Sequence, residues 1–203
     1  NAGEITAVFV AILLKFPLPL LPLQLLLMNL LTDDFPALGL GFESGEEGIM
    51  DRPPRAVDQK PITSRMFVAI ILFGLIMGVG TLFMFMQYNK IDLAYAQTVA
   101  FTTLVMFQKF AVMSSRSLRT NIRKLNPFSN KYLFVAIIVS ILIQVAVIYW
   151  TPLQSIFGTV AITGIDWVKI IGISSLGFIM MEVGKFFLGV GVKHTGIHHP
   201  GHT

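Results

Sequence analysis

The 203-residue chain contains no cysteine, which excludes disulfides and thiolate metal centres and leaves the redox compartment unread. Charge is scarce too. Asp, Glu, Lys and Arg make up 13% of the residues, against roughly 25% in soluble domains. No Gly-rich phosphate loop occurs in it. The start at Asn1, without methionine and inside an apolar pattern, reads as a piece of a longer chain that opens with no signal peptide. A net charge of +4 does not imply a nucleic-acid partner, because the basic residues lie in loops between apolar stretches.

What the chain has instead is apolar length, with 54% hydrophobic residues. Residues 1–14 read as the second half of a truncated transmembrane helix, since they are too short for a full span. Lys15 to Pro19 turn into a second helix ending near residue 42. Residues 43–65 form a loop too rich in charge and proline for the bilayer core. Four further spans fall near 66–88, 93–115, 132–150 and 167–190, before a tail at 191–203 containing His194, His198, His199 and His202. The expected fold is an all-α polytopic transmembrane bundle of half a helix plus five complete spans.

Lys and Arg placement sets the orientation. Arg52, Arg55, Lys60 and Arg65 mark one loop, and Arg116, Arg119, Arg123, Lys124 and Lys131 mark another. The intervening connections carry only Lys15, Lys90 and Lys169. Loops 43–65 and 116–131, and the C-terminus, are therefore expected in the cytoplasm, with membrane lipid around the spans.

The second helix carries the chemistry. Asn29, Thr32 and Asp33 stand at spacing i, i+3, i+4 in an apolar segment, so a carboxamide, a hydroxyl and a carboxylate share one face. A carboxylate at mid-membrane costs roughly 2.5–3.5 kcal/mol unless compensated. Pro36 lacks an N–H, which frees the carbonyl of Thr32 and places a break between Asp33 and Gly41. Clustered oxygen ligands suit a hard cation; a polar helix–helix contact is the plainer alternative. Asp34 points off this face.

The run LPLQLLLMNLLTDDFPALGLGFE with the following GIMDRPPR closely resembles the sixth transmembrane helix and next cytoplasmic loop of P-type cation-transporting ATPases, nearest to the calcium pumps. The opening NAGEI is similar to that family's fifth helix from its midpoint. The resemblance covers the chain as the C-terminal membrane half of such a pump. It implies ion ligands at Asn1, Glu4, Asn29, Thr32 and Asp33, and at Gln108 on the eighth helix, where some calcium pumps carry Glu. It also implies Ca2+ as the transported ion and a partner in the missing N-terminal half of the same pump. Mg-ATP would act only through those upstream domains, so this part alone should not hydrolyse ATP.

Other features keep two readings. Lys109 either faces away from the site or supplies a built-in counter-cation. Gly74, Gly78 and Gly80 fit close packing of helices in lipid or a pivot. Glu182 and Lys185 form an intramembrane pair or sit at the interface. Functionally, the alternatives to a calcium pump are a passive cation channel or carrier, a related pump for Mn2+, Na+, K+ or H+, or a non-transporting scaffold.

Overall fold

The computed structural model describes residues 2–42, 64–116 and 130–188, and the regular elements among them are all helical. Helix α1 is Ala2–Leu13. Lys15, in the left-handed region at φ 57°, helps reverse the chain. Helix α2, Pro22–Leu27, then runs through a π-helical turn, Met28–Asp33, into α3, Asp34–Gly41. Pro22 opens this path where a missing N–H costs nothing. The longer helices are α4, Ser64–Tyr88, α5, Leu93–Ser115, and α6, Lys131–Tyr149; short α7, Thr151–Phe157, precedes α8, Gly164–Leu188.

Caps fix several boundaries. Asp92 accepts the Tyr95 N–H at 3.0 Å to start α5. Asn130 accepts the Leu133 N–H at 2.9 Å to start α6, while its amide donates to the Gly39 carbonyl at 2.9 Å. One side chain thus caps α6 and ties it to α3. Gly158, at φ 62°, ends α7.

The break in the second helix lies upstream of the expected position. Regular α geometry holds from Asp34 to Gly41, straight through Pro36, and the disturbance occupies Met28–Asp33. The physical reason is directional. A proline removes the bond to, and crowds, the carbonyl four residues before it, so the helix widens on its N-terminal side.

Helix α4 packs against α1, α5 and α8. A Cβ at Gly74 would lie 2.6 Å from Ala2 Cβ, and one at Gly78 would lie 2.5 Å from Thr6 Cγ2. These glycines let the backbones of α1 and α4 approach closely.

The exterior is apolar and much of the interior is polar. Ile5, Phe9, Leu26, Val79, Phe83, Leu142, Ile165 and Val168 are exposed. Gln24, Thr81, Thr98, Thr102, Thr103, Gln144 and Ser174 are buried. This inversion suits a hydrocarbon surround, in which polar groups must find partners inside the bundle. Met66–Tyr88 and Lys131–Tyr149 are long and apolar enough to cross a membrane. Helices α5 and α8 have the length but carry Gln97, Gln108 and Lys109, and Asp166, Lys169 and Glu182, respectively. The two loops expected in the cytoplasm fall outside the described residues except at their ends, and the His tail lies outside them entirely.

Candidate cation site

Three elements converge on one cluster of oxygens. Glu4, in the first turn of α1, is 6% exposed. Asn29 and Asp33 are half-buried on the π-helical turn, and Gln108 is buried in the middle of α5. Gln108 Nε2 donates to Glu4 Oε1 at 3.1 Å and to Asp33 Oδ2 at 2.9 Å. Asn29 Nδ2 donates to Glu4 Oε2 at 3.3 Å and to the Leu25 carbonyl at 3.0 Å. Because one amide nitrogen touches both carboxylates, their oxygens are separated by less than the sum of two hydrogen bonds. That is far inside the ~12 Å beyond which oxygens bound at roughly 2.4 Å could not share an ion.

The donors leave a remainder. With its N–H groups turned to the carboxylates, Gln108 Oε1 is buried without a hydrogen-bond partner. Such an oxygen is costly unless a donor or a cation meets it. Among the described residues no group of three or more His, Asp or Glu could hold a metal. The cluster instead combines two carboxylates with amide oxygens.

Of the residues expected at the site, Glu4, Asn29, Asp33 and Gln108 are brought together. Thr32 lies on the π-helical turn, but its side chain is outside the described set, as is the whole of Asn1. Lys109, the next residue on α5, is 4% exposed. Asp34 is exposed and outside the cluster. Glu182 accepts a hydrogen bond from Ser114 on α5; the Lys185 side chain is outside the described set.

One buried carboxylate escapes the sequence reading. Asp166 accepts from Tyr88, Tyr95, Thr163 at 2.7 Å and Lys169 at 3.0 Å. Tyr88 and Tyr95 are 78 and 71 residues distant in the chain. Only the i, i+3 spacing of Asp166 and Lys169 offered a local signal.

Carboxylates and amides thus meet between a distorted helix and two neighbouring helices. The chain matches the family described as "Cation transporting ATPase, C-terminus" over residues 17–187, and it belongs to that family. It is 43% identical over 179 residues to a calcium-transporting ATPase of Bacillus subtilis, covering 87% of this chain and 20% of that protein. It is 33% identical over 203 residues to calcium-transporting ATPase 1 of Bacillus cereus, covering 91% and 23%. Against human calcium-transporting ATPase type 2C member 1, identity is 31% over 187 residues, covering 91% and 20%. The chain therefore spans about a fifth of the length of these relatives.

Proposed function

We propose that this chain is the cation-binding membrane part of an ATP-driven pump that exports Ca2+ from the cytoplasm. Asn1, Glu4, Asn29, Thr32, Asp33 and Gln108 supply its ligands. The observation that carries the reading is the Gln108 amide bridging carboxylates from two separate helices, with its own oxygen buried and unpartnered. Rotating that amide by half a turn would replace two N–H donors with an oxygen ligand. A hard divalent ion needs both the negative charge and the neutral oxygens.

The similarity to calcium-transporting ATPases supports Ca2+ over Mn2+, Na+, K+ or H+. It also supports active transport over a passive channel or carrier. ATP hydrolysis belongs to upstream domains of the pump, and this chain supplies five spans plus the second half of another. Loops 43–65 and 116–131 and the C-terminus face the cytoplasm.

The test is phosphoenzyme formation from ATP in the complete pump, measured against free Ca2+. Asp33→Asn should abolish Ca2+ activation, because an amide keeps the shape and removes the charge. Normal Ca2+ activation in Asp33→Asn would sink the site. Activation of the unmodified pump by Na+ or K+ without response to Ca2+ would overturn the ion while leaving the pump.

A further inference from the structure

Phe107, immediately before Gln108, is one of the largest fully buried side chains, 1% exposed. Its ring occupies a slot made by two helices at positions where neither has a side chain. A Cβ on Gly80 of α4 would lie 2.8 Å from Phe107 Cζ, and a Cβ on Gly177 of α8 would clash with Phe107 Cε1. Buried within the main core cluster, a ring enclosed in this way has little room to turn aside when bulk is added. Consecutive helical residues point about 100° apart. The ring therefore anchors α5 on its α4/α8 side, while the next residue reaches Glu4 and Asp33.

Helix α5 also packs against the π-helical turn, α3 and α6. Bulk added under the ring from α4 or α8 drives α5 toward that opposite side, and Gln108 toward Asp33. Ions of one charge differ in metal–oxygen distance by only a few tenths of an ångström, about 2.0–2.1 Å for Mg2+ against 2.3–2.6 Å for Ca2+. Displacements of that size change which ion fits before they abolish binding.

We propose that Phe107, seated between Gly80 and Gly177, is a positioning residue that sets the reach of Gln108 and thereby the pump's preference among divalent ions by size. The proposal rests on the cation-site reading above and adds a determinant outside the ligand set. It touches no ion; it acts through Gln108.

The test uses the full-length pump and phosphoenzyme formation activated by Ca2+, by the smaller Mn2+ and by the larger Sr2+. Gly177→Ala should shift half-activation toward Mn2+ and away from Sr2+, changing the Mn2+/Ca2+ ratio by about threefold or more. Gly80→Ala should act in the same direction and serves if Gly177→Ala does not fold. Phe107→Leu combined with Gly177→Ala makes room for the methyl and should return the ratio toward the parent value, a coupling that general destabilisation does not produce. Gly172→Ala, on α8 with nothing within 4 Å of its Cβ, should leave the ratio unchanged. In a Gln108→Ala background the glycine substitutions should lose their effect on the ratio.

An unchanged ratio in both glycine variants, with Gln108→Ala still altering Ca2+ activation, overturns the positioning role and spares the site. A ratio shift that persists without Gln108 also overturns it. No effect of Gln108→Ala on any ion removes Gln108 from the ligand set, and the proposal with it.

Discussion

Two buried carboxylate clusters lie along α5, separated by the 13 residues from Tyr95 to Gln108, or about 20 Å of helix. They are satisfied very differently. Asp166 receives two hydroxyl-bearing aromatic rings, a threonine hydroxyl and an ammonium, two donors to each oxygen. Among the described residues, Glu4 and Asp33 share a single Gln108 nitrogen, and Asn29 donates to Glu4 while also bonding the Leu25 carbonyl. A saturated carboxylate has no capacity left for a ligand and works as a clasp, here joining α4, α5 and α8. Two carboxylates that share one amide nitrogen, beside an unpartnered carbonyl oxygen, are what the proposed cation site requires. Burial alone does not distinguish the two clusters; the way the donors are shared does.

The electrostatics of Asp166 agree with the clasp. Burial pushes its carboxyl up, but the hydrogen bonds from Tyr88, Tyr95, Thr163 and Lys169 outweigh it and hold the group below the usual carboxylate range. A depressed folded-state value means that the stabilisation is fully present above the unfolded value of about 3.9 and is lost as the pH falls below it.

The contrast can be broken at several points. The largest effect is expected at Glu4. In the complete pump, Glu4→Gln should raise the Ca2+ concentration for half-maximal phosphorylation by roughly tenfold or more, and by more than Gln108→Ala, since it removes a charge as well as geometry. Equal effects would mean that the carboxylate is not a ligand. Next comes the clasp: Asp166→Asn should lower stability by about 1–2 kcal/mol while Ca2+ activation stays as in the parent. Thermal unfolding followed alongside phosphorylation checks both, and loss of Ca2+ activation at unchanged stability would erase the distinction between the clusters. Pro36→Ala restores an N–H opposite the Thr32 carbonyl, so it should narrow the π-helical turn and weaken Ca2+ activation severalfold. The smallest effect is expected at exposed Asp34, one residue from the site, where Asn should change Ca2+ activation hardly at all.

Legibility in the sequence followed sequence distance. Asn29 and Asp33 stand four residues apart, and helical periodicity alone puts them on one face. Glu4 and Gln108 lie on other helices, 25 and 75 residues from their partners Asn29 and Asp33. They entered through resemblance to a family, because nothing local in their own segments points to an ion. Pro36 signalled a distortion, and its place upstream follows from the carbonyl that the proline frees four residues before it, a direction the expected break after Asp33 did not take into account. The Asp166 clasp stayed hidden because its aromatic donors come from two helices far back in the chain. Likewise Gln24 and Gln97, lone polar residues in apolar runs, turn out to hold the carbonyls of Phe157 and Leu18 at 3.1 and 2.8 Å. The Phe107 slot needs two glycines on different helices to meet one ring. No periodicity within a single segment encodes that.

The most direct test of the distinction between the two clusters is equilibrium Ca2+ binding to the purified full-length pump, measured in parallel for the parent, Asp33→Asn and Asp166→Asn in the absence of ATP. Saturable binding is expected in the parent, with its loss in Asp33→Asn and its retention at parent affinity in Asp166→Asn. Binding that survives in Asp33→Asn and disappears in Asp166→Asn would contradict it and move the ion to the other cluster.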